Sequence, residues 1–103
     1  MEQKTLRHVV LFRYKPEATE EEITGITKAF STLRDKIPGI DSFEWGLNIS
    51  PEGLDQGFTH CYMLSFRSEA DRDAYLPHPE HKAFGQLLGS LLDGVFVVDY
   101  WTN

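Results

Sequence analysis

Cysteine is almost absent from the sequence, which contains Cys61 alone. A single thiol excludes a disulfide within the chain and favours a reducing, cytoplasmic compartment. Basic residues are also scarce: 10 lysines and arginines stand against 16 acidic residues, which gives a formal net charge of -6. Because nucleic acids and anionic membrane surfaces attract basic patches, neither is an expected partner.

Long apolar runs are missing as well. No stretch approaches the roughly 20 apolar residues that a membrane-spanning helix requires, and the N-terminal segment lacks the apolar core of a signal peptide. The chain is nevertheless 41% hydrophobic and 13% aromatic, which is ample for a core in 103 residues. We therefore expect one cytoplasmic domain that covers residues 1–103.

The first half of the chain predicts a strand, a helix and a second strand. Leu6–Tyr14 is mostly apolar, β-branched or aromatic, as in strands. Thr19 and Glu22 have the spacing of a capping box and predict a helix start, and Pro38 with Gly39 predicts its end. Residues 42–49 then alternate between apolar and polar, which predicts a strand.

The second half continues with a loop, a third strand at residues 58–66 and a broken helical region. Ser68 predicts the start of a short helix that Pro77 ends, and Pro79 suits the first turn of another helix. A last strand is predicted at residues 95–101, after Gly94. The order β-α-β-β-α-β predicts an α+β, ferredoxin-like fold with a four-stranded antiparallel sheet.

Apolar side chains occupy both faces of the predicted sheet. Val10 alternates with Val9 and Leu11 in the first strand, and Val97 alternates with Val98 in the last. Because the helices of this fold cover only one face, the other face would expose an apolar patch. We therefore predict a homodimer that packs sheet face against sheet face.

The four histidines are the first candidates for a functional site: His8, His60, His78 and His81. His8 and His60 lie in predicted strands, on the same side as apolar neighbours. Each is either an interior histidine whose ring nitrogens are satisfied by hydrogen bonds or a residue that faces a ligand.

The segment from Tyr75 to His81 carries the densest set of reactive groups. Pro77 and Pro79 restrict the backbone between the two ends. A histidine base beside a tyrosine hydroxyl suits acid–base chemistry on a small carbonyl compound. Alternatively, Tyr75 packs in the core and His78 or His81 caps a helix. The spacing of the histidines matches no metal motif, and we expect neither a metal nor another cofactor.

Several short segments together resemble the stress-responsive dimeric A/B-barrel domain family. The resemblance covers nearly the whole chain, and its most specific element is the Tyr…HPxH motif followed by a terminal Asp-Tyr. The matching segments are residues 6–12, 37–40, 45–46, 57–60, 75–81 and 98–100.

The resemblance implies a ferredoxin-like fold and a dimeric α/β barrel. A cyclase similar to this chain closes a linear polyketide by an intramolecular aldol condensation. Its acid–base pair corresponds to Tyr75 and His81, and two further pocket histidines correspond to His8 and His60. The resemblance further implies a ligand pocket between sheet and helices, lined here by Val10, Phe30, Phe84, Gly85 and Val97.

Three functions follow as hypotheses. The first is a homodimer that binds a small apolar carbonyl, phenolic or polyketide-like compound, with Tyr75 and His81 as acid and base. The second is a non-catalytic structural or stress-protective dimer. The third is a haem-degrading or antibiotic-biosynthesis-type monooxygenase.

Overall fold

The computed structural model describes residues 4–103. The predicted domain also includes residues 1–3, which lie outside the described residues. The predicted order of elements is confirmed, with the second helical region divided in two. The elements are β1 (Leu6–Tyr14), α1 (Glu20–Lys36), β2 (Ile40–Leu47), β3 (His60–Phe66), α2 (Glu69–Tyr75), α3 (Pro79–Leu88) and β4 (Leu92–Trp101).

The four strands form one antiparallel sheet in the order β2-β3-β1-β4. β1 lies between β3 and β4, so its residues face a partner on each side. His8 is paired with Leu64 and Asp99, whereas Phe12 is paired with His60 and Val95. Paired residues point to the same side of a sheet, and the register therefore determines which polar side chains can meet.

Helix α1 begins and packs as its sequence pattern predicts. The Thr19 hydroxyl accepts from the Glu22 amide at 3.1 Å, and the Glu22 carboxylate accepts from the Thr19 amide at 2.9 Å, which completes the capping box. The face that carries Ile26, Phe30 and Leu33 is buried against the sheet. This face supplies much of the core that holds the helix in place.

The break between α2 and α3 is built from local signals. Ser68 caps α2 by accepting from the Asp71 amide at 3.1 Å. His78 caps α3, since its Nδ1 accepts from the Glu80 amide at 3.0 Å, and Pro79 fills the first helical position. The expectation that a histidine caps this helix is thus confirmed for His78.

Three strand boundaries differ from the prediction. β2 spans Ile40–Leu47 rather than residues 42–49. The Asn48 amide still donates to the Thr59 carbonyl, but the Asn48 side chain bonds Asp55 and the Ser50 amide in the loop that follows. β3 begins at His60 rather than at residue 58. β4 begins at Leu92 rather than at residue 95, and Gly94 lies within it, paired with Arg13.

The two faces of the sheet differ sharply in burial. The helix-covered face carries the core, which includes Val10, Phe12 and Tyr62. The opposite face is open, and Phe96 and Val98 on β4 are about half exposed there. Within residues 4–103, no helix is both long and apolar enough to cross a membrane.

Candidate active site

Tyr75 ends α2 with its ring enclosed on the helix-covered side of the sheet, at 1% exposure. Its centroid lies 4.4 Å from that of His81, 5.8 Å from that of His8 and 5.3 Å from that of Phe66. The break between the two helices brings His81 back over the ring. The structure therefore brings together three of the predicted site residues.

The orientation of His81 is set by the backbone. Its Nδ1 lies 2.9 Å from the carbonyl oxygen of Leu76. Because a carbonyl only accepts, Nδ1 carries the proton, and Nε2 is left with a lone pair. Burial lowers the pKa of His81, His8 lowers it further, and the bond to Leu76 opposes both effects. The neutral imidazole, which can act as a base, is thus the favoured form near neutral pH.

Asp99 and Arg72 hold His8 from the other side. The His8 Nδ1 lies 2.7 Å from one Asp99 oxygen, and the Arg72 guanidinium donates to the other at 2.8 Å. Burial raises the pKa of Asp99, but the bonds from Arg72 and His8 outweigh it, so the net shift is downward. The ionised Asp99 accepts a hydrogen bond from the Nδ1–H of His8, which leaves the His8 Nε2 for other contacts.

Neither Asp99 nor Arg72 was predicted as a site residue. One signal was present: Asp99 is the only charged residue within the apolar run 95–101. His8 and Asp99 are 91 positions apart, however, and only the pairing of β1 with β4 places them opposite each other.

The Tyr75 hydroxyl is buried and keeps its proton. Burial raises the pKa of Tyr75, so the hydroxyl stays protonated well above neutral pH. Tyr75 as a whole is 1% exposed, so very little of this hydroxyl is open to solvent in the single chain. Among residues 4–103, no side chain or backbone group forms a hydrogen bond with this hydroxyl. It can therefore donate to an oxygen of a bound compound.

His60 lies apart from this cluster. It pairs with Phe12, four residues along β1 from His8, which corresponds to roughly 13 Å. Its ring contacts Tyr14 at 4.9 Å and runs parallel to Trp45 at 6.3 Å between centroids. Burial lowers the pKa of His60. The structure thus divides the predicted histidines between two ends of the same sheet face.

The remaining predicted ligand-binding residues differ in burial. Phe30, Phe84 and Val10 are buried in the core, where the rings of Phe30 and Phe84 lie 4.5 Å apart. Gly85 on α3 and Val97 on β4 are exposed. In this structure the three core side chains fill the space between sheet and helices.

Two clefts, of about 490 and 530 Å³, lie away from Tyr75. The first lies on the open face and is bordered by Leu11, Phe58 and Phe96. The second lies between α1 and the edge of the sheet and is bordered by Trp45 and His60. Neither cleft is lined by His8, Tyr75, His81 or Asp99, which we call the polar cluster.

Comparison with known proteins places these features in a family. The family model described as "Stress responsive A/B Barrel Domain" matches residues 6–102. The stress-response A/B barrel domain-containing protein HS1 of Arabidopsis thaliana is 34% identical over 92% of this chain and 87% of its own length. Olivetolic acid cyclase of Cannabis sativa is 26% identical over 92% of this chain and 94% of its own length.

Solved structures share the fold. The hydroxynitrile lyase from Passiflora edulis superposes with a TM-score of 0.90 at 27% identity, over 99% of this chain and 96% of its own. A dimeric ferredoxin-like protein of unknown function from Jannaschia superposes with a TM-score of 0.78 at 27% identity, over 93% of this chain and 97% of its own.

Proposed function

The chain belongs to the stress-responsive A/B barrel domain family, and on that premise we propose that it is a homodimer that binds a small carbonyl compound and transfers a proton with His81 and Tyr75. No cofactor takes part in this proposal. The observation that carries it is the contact between the Tyr75 and His81 rings, whose centroids lie 4.4 Å apart. His81 offers a basic nitrogen, and Tyr75 offers a hydroxyl that forms no hydrogen bond within residues 4–103.

The proton transfer has a simple course. The Nε2 of His81 takes a proton from the carbon next to the carbonyl group. The electron pair of the broken C–H bond then forms the enolate, whose oxygen gains negative charge. The Tyr75 hydroxyl donates a hydrogen bond to that oxygen, and the apolar surroundings of the ring strengthen this bond. His8, held by Asp99, offers a second polar contact to the ligand.

Two relatives support a carbonyl substrate. One is named a cyclase and the other a hydroxynitrile lyase. A hydroxynitrile is the cyanide adduct of a carbonyl compound, and its cleavage also begins with the loss of a proton to a base. Both activities are therefore compatible with a neutral histidine beside a tyrosine hydroxyl. We propose carbonyl compounds and their adducts as the substrate class.

The open face of the sheet supports a homodimer. Phe96, Val98 and Tyr100 on β4 are each about half exposed in the single chain. Burial of such a surface contributes roughly 25 cal/mol per Å², which favours association. Solved relatives of this fold are dimeric. We expect light scattering at micromolar concentration to give twice the mass of the chain, and a monomer would contradict the proposal.

The chemical step can be tested without knowledge of the natural substrate. The dimer is incubated in D₂O with phenylacetone, acetophenone or 2-heptanone, and proton NMR follows the loss of the hydrogens next to the carbonyl. We expect faster exchange with at least one ketone than in buffer. His81→Gln should abolish the acceleration. His78→Asn is the matched control, because it removes a nearby histidine and retains a good helix cap.

A non-catalytic dimer is the second candidate. The nearly complete enclosure of Tyr75 and the position of the two clefts favour it. In that case no ketone would exchange faster than in buffer. His81→Gln would instead lower the free energy of unfolding, by about 1 kcal/mol for the lost bond to Leu76.

A further inference from the structure

The cleft beside Trp45 is a second feature with the composition of a binding site. Its sheet wall carries Trp45, Leu47 and His60, and its helix wall is one face of α1. A volume of about 530 Å³ falls within the usual range for small-molecule sites. The α1 face consists of Glu20, Ile23, Thr24, Thr27, Lys28 and Ser31, which recur at helical spacing.

Three of the six α1 residues that line the cleft have short side chains, which helps to leave it open. Where a helix packs closely on a sheet, large apolar side chains fill the gap. Here Thr24, Thr27 and Ser31 stand opposite Trp45, and their short side chains leave the gap open. Trp45 consequently remains 48% exposed although it points to the helix side.

The floor of the cleft contains a preorganised hydroxyl. Thr27 is 8% exposed, and its Oγ1 lies 2.7 Å from the Tyr62 hydroxyl. Tyr62 in turn lies 3.0 Å from the Tyr14 hydroxyl. Such a chain orients the Thr27 oxygen without engaging all of its hydrogen-bonding capacity. A ligand hydroxyl at this point would join an existing network.

The aromatic wall favours a planar ligand. The Trp45 ring is within 3° of parallel to the His60 ring and within 20° of parallel to the Tyr62 ring. The exposed part of the Trp45 ring leaves room for a ligand ring to stack on it with an offset. The two charged residues at the cleft, Glu20 and Lys28, have opposite signs, so the site selects no net charge.

From these features we propose that the cleft between α1 and β2 binds an uncharged, planar, hydroxylated aromatic compound. One ring of the ligand lies on Trp45, and a ligand hydroxyl bonds to Thr27. This site is separate from Tyr75 and His81, and it does not depend on the proton transfer proposed for them.

Proton–nitrogen NMR of the full chain with 2,7-dihydroxynaphthalene as the probe tests the proposal. The two tryptophans provide an internal comparison, since Trp45 borders the cleft and Trp101 bonds Glu69 beside α2. We expect the Trp45 indole signal to shift saturably with the probe and the Trp101 signal to stay in place. Naphthalene-2,7-disulfonate, which is doubly charged, should give no such shift.

Variants separate this site from the polar cluster. Trp45→Leu should weaken binding roughly five- to tenfold, the usual worth of an aromatic contact. Thr27→Val should weaken it about fivefold for one hydrogen bond. Tyr75→Phe should leave the dissociation constant unchanged, whatever its effect on proton transfer.

Three results would overturn the proposal. The first is a Trp45 signal that does not respond to the probe. The second is a Trp45 signal that shifts when the protein is diluted and the dimer dissociates, but not when the probe is added. The second copy of the chain would then cover the cleft. The third is a probe shift that Tyr75→Phe removes, because the probe would then occupy the polar cluster.

Discussion

The two ends of the helix-covered sheet face contain the same residue types with different hydrogen-bond partners. We call them the Tyr75 end, with His8, Tyr75, His81 and Asp99, and the His60 end, with His60, Trp45, Tyr62 and Thr27. Each combines histidine with tyrosine. At the Tyr75 end the histidines are hydrogen-bonded to a carboxylate and a carbonyl, whereas within residues 4–103 His60 has only the Thr59 hydroxyl as a hydrogen-bond partner.

The hydroxyl groups show the reverse arrangement. Tyr62 forms hydrogen bonds to Tyr14 and Thr27, but the Tyr75 hydroxyl has no such bond within residues 4–103. One end thus orients its histidines and leaves a tyrosine hydroxyl available. The other end engages its tyrosine and leaves aromatic faces available. Because the two ends share residue types, the proposed proton transfer rests on the hydrogen-bond partners of these side chains rather than on their types.

The largest expected effect is on proton transfer. Tyr75→Phe removes the donor to the developing oxyanion and should slow ketone exchange by about 10²- to 10³-fold. Tyr62→Phe removes a hydroxyl at the His60 end and should slow it less than threefold. Proton NMR in D₂O measures both rates. Equal losses in the two variants would remove the distinction between the ends.

The next effect is on the stability of the Tyr75 end. Asp99→Asn leaves an acceptor for only one of His8 and Arg72, and it removes the charge that both contact. We expect a loss of roughly 1–3 kcal/mol in the free energy of unfolding, measured with urea at fixed protein concentration. His60→Gln, the control at the other end, should cost less than about 0.5 kcal/mol. Similar losses in the two variants would mean that Asp99 does not specifically stabilise the Tyr75 end.

A smaller difference is expected between the two buried tyrosines. Tyr62→Phe breaks the hydrogen bonds to Thr27 and Tyr14 and should cost about 1 kcal/mol. Tyr75→Phe removes a hydroxyl without a protein partner and should change stability by less than about 0.5 kcal/mol. A reversed order in urea unfolding would show that the Tyr75 hydroxyl is engaged and unavailable to a ligand.

The smallest effect is a shared dependence on pH. Burial lowers the pKa of both His81 and His60 below 6.5 in the folded protein. Between each lowered pKa and 6.5, the unfolded chain binds more protons, so stability is lost as pH falls through this window. Stability from these groups is complete above pH 6.5. His81→Gln and His60→Gln should each reduce the dependence of the free energy of unfolding on pH, measured with urea. NMR titration should show that both histidines take up a proton at lower pH than a free histidine does.

Sequence patterns predicted most of the fold because the signals are local. The capping box of Thr19 and Glu22 and the prolines at 77 and 79 act within a few residues. The ends of β2 and β4 were less accurate, since Ile40 and Leu92 extend strands by pairing with distant partners. The conformational preference of a short segment carries no information about which distant strand it pairs with.

The candidate site also has a part that local sequence determines and a part that it does not. The sequence by itself determined the rigid segment from Tyr75 to His81, because two prolines and two helix ends place the rings near each other. Only the tertiary structure decided that His8 meets Asp99 and that His60 lies at the other end. The reason is strand register, since it sets which distant side chains share a face, and no short stretch of chain encodes it.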